Sequence, residues 1–185
     1  MEKRKFAVAL FMIAIIGAMN SYTFLLRGEV FASMQTGNII KACIDIARGE
    51  LTGLHIHFIP IIAFIIGILS HYFAMKTRFG SAICFTLIGI AYVGGFVIPF
   101  GALDCVAVSL LSFGVGIQLQ LIRRVNGVDL ATTMCTGNIR SFVEKLVKYI
   151  DTKDRSLRLG IVTYLSMVIS FITGVMVTAI AIIQL

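Results

Sequence analysis

The sequence predicts an all-α polytopic membrane protein, and its composition and the spacing of its charges are the observations that predict it. Hydrophobic residues make up 58% of the chain, charged residues 14%, and the mean hydropathy is +0.98. Soluble domains are about 45–50% apolar and about 25% charged. Two runs, 6–26 and 79–103, contain no charged residue, and about 20 apolar residues suffice to cross a hydrocarbon core of about 30 Å.

Five stretches are long and apolar enough to be transmembrane helices. The first follows a basic start, but it exceeds the apolar core of about 7–15 residues that is typical of a signal peptide and no small-x-small cleavage site closes it, so we expect a retained span. The net charge of +7 comes without a basic patch interleaved with aromatics, which argues against a nucleic-acid partner and for basic loops facing a cytoplasm. The predicted spans are Phe6–Leu26, Ile56–Met75, Ile83–Phe100, Cys105–Ile122 and Leu159–Leu185.

Two shorter stretches between these spans are predicted to be amphipathic helices, and each opens with Thr-Gly-Asn. In the run 139–150 the apolar residues recur at the i, i+3, i+4, i+7 spacing of one helix face, with charged residues on the other. After Asn38, the charged residues Lys41, Asp45 and Arg48 line up at the same spacing. In lipid, such helices lie at the interface or turn their polar face to a protein-lined cavity.

The chain contains an internal repeat with two motifs in the same order. Thr-Gly-Asn at 36–38 returns at 136–138, and AFIIGIL at 63–69 returns as SFITGVM at 170–176. We therefore expect one integral membrane domain built from two three-part units, each a span, a Thr-Gly-Asn-capped helix and a second span. Repeat one covers about 6–78, a linker span about 81–102, and repeat two about 104–185.

Whether the two Thr-Gly-Asn helices cross the bilayer decides the topology. If they do not, only Arg27, Lys41 and Arg48 of the 16 Lys and Arg lie opposite the N-terminus, which places that terminus in the cytoplasm. If they do, Lys41 and Arg140 lie within the bilayer, at a cost of at least about 2.5–3.5 kcal/mol each. We therefore expect five crossings and inverted repeats, as in many secondary transporters; seven crossings would make the repeats parallel.

The Thr-Gly-Asn motifs are also the strongest candidates for a binding site. Thr and Asn favour helix N-caps, and Gly permits irregular backbone, so each motif predicts a free helix N-terminus suited to an anion. The alternative is a plain capped turn without a ligand. Asn and Gln inside spans should face the bundle, where they bond another helix or line a site. The candidate substrate-binding residues are Thr36, Gly37, Asn38, Thr136, Gly137, Asn138, Asn20, Gln118 and Gln120.

These patterns favour a small-solute or ion transporter with a central site between the repeats. The alternative is a non-transporting scaffold or accessory subunit that uses the small residues Ala14, Gly17 and Ala18 and the basic helix 140–158. We expect no enzymatic activity, catalytic residue, cofactor or metal site, since no nucleophile–base set or metal-ligand spacing is present. The expected partners are the lipid bilayer and a small polar or anionic solute; the oligomeric state stays open.

The ordered motifs VFASMQTGN, AFIIGIL, GIQLQLIRR and TTMCTGN extend over nearly the whole chain. Together they resemble the YoaK-like family of uncharacterised bacterial inner-membrane proteins. The resemblance implies a multi-pass protein of the bacterial inner (plasma) membrane and brings no established activity. The family pattern has an acidic residue within the first span where this chain has Asn20, so the resemblance gives that position no role in proton coupling.

Overall fold

The computed structural model describes residues 2–121, 124–129 and 135–184. Within them, five helices are long and apolar enough to cross a membrane, which confirms the predicted all-α polytopic fold. A short antiparallel hairpin follows the fifth helix. The elements are α1 (Glu2–Leu26), α2 (Gln35–Arg48), α3 (His55–Ala74), α4 (Gly80–Val97), α5 (Asp104–Leu121), β1 (Arg124–Val125), β2 (Val128–Asp129), α6 (Cys135–Thr152) and α7 (Leu157–Ile183).

Each predicted span lies on one long helix, with ends shifted by a few residues. The largest single shift is at the start of α1, which begins at Glu2 instead of Phe6. The helix α4 is shifted at both ends, since it runs from Gly80 to Val97 whereas the prediction was Ile83–Phe100. The early end has a local cause, because the residue before a proline is driven out of the helical conformation, and Ile98, before Pro99, has an extended ψ of 128°. The predicted ends Ile122 and Leu185 lie outside the described residues.

The helices α1 and α7 pack so closely that their backbones touch. A Cβ atom on Gly174 would collide with the carbonyl of Ala14, and one on Gly17 would collide with the carbonyl of Phe171. The Ser170 hydroxyl donates a hydrogen bond to the carbonyl of Leu10. Because the partners on both helices advance together along the chain, α1 and α7 run parallel.

The helices α3 and α5 form a second pair built in the same way. A Cβ atom on Gly67 would collide with the carbonyl of Phe113, and one on Gly116 with the carbonyl of Phe64. The Cys105 thiol lies 3.6 Å from the carbonyl oxygen of His55, at the start of both helices, so this pair is parallel too. Each pair therefore joins the first span of one repeat to the last span of the other.

The first spans of the two repeats, α1 and α5, run antiparallel. The end of α1 meets the start of α5, where Arg27 forms an ion pair with Asp104 at 2.7 Å. Near the opposite end, the Gln118 amide donates to the carbonyl of Met12 at 3.1 Å. The repeats are consequently inverted with respect to each other, as the five-crossing arrangement predicts.

Neither amphipathic helix crosses the bundle. Since α1 is antiparallel to α5 and α5 is parallel to α3, the end of α1 and the start of α3 lie at the same end of the molecule, with α2 between them. By the same reasoning, the end of α5 and the start of α7 lie at the opposite end, with α6 between them. The structure therefore agrees with the non-crossing interpretation of both helices.

The helices group into two bodies. The first body consists of α1, α7 and α6, which packs on α7; the second consists of α3, α5, α4 and α2, where α4 packs on α5 and α2 on α3. Between the bodies, the backbones of α1 and α5 approach each other closely at few positions, and side chains fill the space between them. An apolar cluster occupies the middle of this boundary, formed by Ile16, Met19, Ala32, Leu111 and Val115.

The glycine contacts should decide whether the bundle assembles. Gly174→Val places new atoms against the carbonyl of Ala14, so we expect a loss of about 2 kcal/mol or more by overpacking. Gly89→Val is the matched control, because a Cβ at that helical position meets nothing within 4 Å in the described structure. Thermal unfolding in detergent should separate the two variants, and equal melting temperatures would contradict the close α1–α7 crossing.

Candidate functional site

The segment between α1 and α2 turns back into the bundle. Gly28 and Glu29 adopt positive φ angles of 80° and 56°, which reverse the chain just after α1. Ala32 then packs beside Ile16 and Met19, about two helical turns below the end of α1. The backbone here is irregular and yet buried, a situation tolerated at membrane depth only where protein satisfies its polar groups.

Two asparagine side chains supply those hydrogen bonds. Asn38 accepts from the backbone N–H of Phe31 at 2.8 Å and donates to the carbonyl of the same residue at 2.8 Å. Asn20 accepts from the backbone N–H of Ser33 at 3.0 Å and donates to its hydroxyl at 2.6 Å. Asn38 therefore pairs with the backbone of Phe31 as a neighbouring strand would, whereas Asn20 binds one backbone group and the side chain of Ser33. Together they hold the returning segment against α1 and α2.

The first Thr-Gly-Asn motif lies inside the first turn of α2, which corrects the expectation that it caps the helix. The N-cap residue is Met34, and it makes no side-chain capping bond. The reason is that Asn38 uses its amide on Phe31, several residues upstream. Gly37 allows this arrangement, because a Cβ there would lie 2.9 Å from the ring of Phe31. Thr36 is exposed.

The second motif repeats the burial pattern of the first. Thr136 is exposed, Gly137 is half-buried and Asn138 is buried, as in the first copy. The residues that correspond to the returning segment, 130–134, lie outside the described part of the chain. The preceding hairpin does enter the bundle, because Val128 packs with Ile13, Tyr164 and Met167. It lies against the first half of α1, whereas Ala32 and Ser33 lie against the second half.

The remaining predicted site residues are distributed along the bundle. Gln118 accepts a hydrogen bond from the hydroxyl of Tyr92 at 2.6 Å and donates to the carbonyl of Met12. Asn20 lies about 12 Å further along α1 than Met12, at 1.5 Å per residue. Gln120 is half-buried beside a cavity of about 710 Å³ that is otherwise lined mainly by the last turns of α3. The structure brings Asn20 and Asn38 together on one segment and does not gather the nine candidates around one pocket.

A charged group that the sequence did not single out closes the boundary between the bodies at one end. Arg27 is fully buried. Its guanidinium donates to the carboxylate of Asp104 at 2.7 Å and to the Tyr22 hydroxyl at 2.7 and 3.0 Å. It also donates to the carbonyls of Ile98 at 2.6 Å and Pro99 at 3.1 Å. Burial by itself lowers the pKa of Arg27, but the bonds to Asp104 and Tyr22 outweigh it and raise the pKa above its ordinary value.

A cleft of about 340 Å³ lies at the same end, between α2, the start of α3 and the turn after α1. Lys41 and Glu29 form an ion pair at 2.7 Å, and the hydrogen bond from Lys41 lowers the pKa of Glu29. The buried imidazole of His57 lies 3.0 Å from the carboxylate of Asp45. Arg48 completes the charged lining. The polar face of α2 thus turns towards protein, and its apolar face towards the surroundings.

Five membrane-length helices, two amphipathic helices and a buried boundary crossed by polar contacts define a multi-pass helical membrane protein. The chain belongs to the family described as "Protein of unknown function (DUF1275)", whose model matches residues 8–184. No curated protein and no solved structure matches the chain. The family match supports the expectation of an uncharacterised family and does not extend to the YoaK-like proteins in particular.

Four residues that contribute to these sites escaped the sequence-based reasoning. Ser33 and Tyr92 carried no signal, because a lone hydroxyl in an apolar chain is common. Arg27 and Asp104 did carry a signal. Arg27 directly follows the first predicted span and Asp104 directly precedes the fourth, and in the five-crossing topology both lie on the same side of the membrane. Opposite charges at adjacent span ends on one side are candidates for a pair.

We expect the Asn38 side chain to stabilise the fold rather than to recognise a ligand. Asn38→Ala leaves the N–H and C=O of Phe31 unsatisfied, so we expect a loss of about 2–3 kcal/mol. Thr36→Ala, two residues away and exposed, should change stability by less than about 0.5 kcal/mol. Chemical or thermal unfolding in detergent measures both. A neutral Asn38→Ala variant would mean that the returning segment is held by other contacts.

Removal of either charge of the Arg27–Asp104 pair should destabilise the fold. Asp104→Asn keeps the shape but leaves a buried guanidinium without its counter-ion, and we expect a loss of about 3 kcal/mol. The exposed Glu29–Lys41 pair provides the control, since surface ion pairs contribute little. A thermal unfolding series of Asp104→Asn and Glu29→Gln should show a large drop only for the first. Equal effects would rule out a special role for the buried pair.

Proposed function

We propose that this protein is a membrane transporter for a small polar solute, and that its two helix bodies move against each other. The observation that supports this most is the pairing of the spans. Each body takes helices from both inverted repeats and is locked internally by glycine contacts, whereas α1 and α5 meet through side chains, with few close approaches of their backbones. Inverted repeats that rock around a central site are a common design of secondary transporters.

Polar contacts across the boundary suit such a movement. At one end Arg27 of the first body binds Asp104 and two carbonyls of the second. At the other end Gln118 of the second body binds the Met12 carbonyl of the first. These contacts lie about 22 Å apart along α1, with the apolar cluster between them. Opening one end while the other stays closed would give access from alternate sides.

The solute itself is proposed only by class. At the end of the boundary away from the Arg27–Asp104 pair, the polar groups that parting of the bodies would uncover are uncharged, namely the carboxamide of Gln118 and the hydroxyl of Tyr92. They fit a small polar solute by hydrogen bonding, and the charged cleft beside Lys41 and Arg48 fits the outer entry of an anionic or zwitterionic one. In this proposal the Thr-Gly-Asn motifs mainly stabilise the helices that surround the solute path.

The scaffold alternative is less favoured by the packing. The small residues that it would offer to a partner protein, Ala14, Gly17 and Gly116 among them, are already used between the helices of the same chain. For the cellular setting we propose the bacterial inner (plasma) membrane with the N-terminus in the cytoplasm. In this orientation only Arg27, Lys41 and Arg48 of the 16 Lys and Arg lie outside, as the distribution of basic residues favours.

The test combines a ligand screen with transport. Thermal-shift screening of the detergent-purified protein against metabolites and ions should find a solute that raises the melting temperature, and proteoliposomes should then show counterflow of that solute. The double variant Tyr92→Phe, Gln118→Leu removes the hydrogen bond between the two side chains together with the bond from Gln118 to the Met12 carbonyl. Its melting temperature is therefore measured first, and we expect at least a tenfold loss of counterflow.

Glu144→Gln, on the exposed face of α6, is the control and should transport normally. A solute that stabilises the protein but does not cross the vesicle membrane would contradict the transporter proposal. Full transport by the double variant would mean that the solute path does not run along the α1–α5 boundary.

A further inference from the structure

The exterior of α6 differs from that of its counterpart α2. The charged side chains of α2 line the cleft, so its outer surface is apolar. On α6 the helix is divided lengthwise into three stripes. The inner stripe contains the buried Asn138 and the half-buried Phe142, which packs in the cluster around Tyr164. The two outer stripes are one apolar and one charged.

The apolar outer stripe is uncovered by protein in the described structure. Its members are spaced by four, four and three residues, so they share one side of the helix. All four are about half exposed, as are the outward-facing isoleucines of α2. The stripe consists of Ile139 (46% exposed), Val143 (47%), Val147 (51%) and Ile150 (53%).

The charged outer stripe is predominantly basic and continues into the turn before α7. Arg140 is paired with Glu144 at 2.7 Å, and Asp151 lies in the same stripe. Asp154 adds a further carboxylate in the turn, but basic residues outnumber the acidic ones. The exposed basic residues that follow Arg140 are Lys148, Lys153, Arg155 and, in the first turn of α7, Arg158. The same end of the bundle carries the exposed Lys3 and Arg4 at the start of α1.

We propose that α6 lies in the surface of the bilayer and binds the anionic headgroups of one leaflet. An apolar stripe beside a cationic one is the arrangement of helices that lie in the plane of the interface, and clusters of four to eight Lys and Arg recognise acidic lipids. The apolar stripe enters the acyl region, and the basic stripe meets the headgroup phosphates. This inference is independent of solute transport and concerns one side of the membrane only.

A single tryptophan reports the depth of the stripe, since the natural chain has none (Trp 0). Val147→Trp places it in the apolar stripe, and Lys148→Trp, about 100° further round the helix, places it in the charged stripe as the control. The full chain is reconstituted in phosphatidylcholine vesicles and in vesicles with about 30% phosphatidylglycerol, with bromine on the acyl chains. We expect quenching of Val147→Trp to exceed that of Lys148→Trp at least about twofold, and to increase with phosphatidylglycerol.

Charge variants test the headgroup contact. Neutralising Lys148, Lys153 and Arg155 to Gln should abolish the increase with phosphatidylglycerol and lower the phosphatidylglycerol-to-phosphatidylcholine ratio of co-purified lipid at least about twofold. The matched variant Lys41→Gln, Arg48→Gln, at the opposite end of the bundle, should leave both readouts unchanged. If Val147→Trp does not fold, Val143→Trp reports on the same stripe.

Two outcomes would overturn the proposal. Absence of quenching in both vesicle types would mean that a protein, either another chain or a second copy of this one, covers the stripe. Equal quenching and equal lipid ratios with and without the three cations would mean that α6 has no preference for anionic lipid.

Discussion

Direct backbone contact at four glycines determines how this molecule is assembled. Lipid offers helices no hydrophobic gain on association, so their pairing depends on close van der Waals approach at small residues. Gly17 and Gly174 bring α1 and α7 together, and Gly67 and Gly116 do the same for α3 and α5. Because both pairs connect one repeat with the other, neither repeat has its main packing partner within itself. The two halves of the chain must therefore fold onto each other.

This crosswise pairing explains why the first Thr-Gly-Asn segment exists. With α1 bound to α7 and α3 to α5, the connection between α1 and α3 has to bridge the two bodies. It does so by a returning segment whose polar backbone groups lie in the interior. Asn20 binds this segment from α1 and Asn38 binds it from α2, so the carboxamides solve a hydrogen-bonding problem that the architecture itself creates. Gly37 leaves room for the ring of Phe31, which completes the physical account of the first motif.

The sequence predicted the membrane class, the five spans and the internal repeat, because these depend on long apolar runs and on a recurring order of motifs. The non-crossing arrangement of α2 and α6 was predictable from the cost of placing Lys41 and Arg140 in lipid. The roles of the asparagines were not, since a carboxamide has the same appearance in a sequence whether it binds a ligand, caps a helix or holds a distant strand of backbone. The burial of Arg27 was not predictable for a related reason. The length of a span locates a residue along the membrane normal, but it does not show whether neighbouring loops bury that residue.

The two inverted copies share a framework and differ in their charged surfaces, and this difference carries functional meaning. In the first copy, α2 turns Lys41, Asp45 and Arg48 towards a cleft; in the second, α6 turns its charges outward. Since inversion places α2 and α6 at opposite faces of the membrane, one face has a charged concavity next to a buried ion pair and the other has a cationic surface helix. In the proposed transporter, a symmetric framework lets the two bodies move in equivalent ways. The charges would then distinguish the face with the cleft, where a solute is proposed to enter, from the face on which α6 is proposed to meet the leaflet.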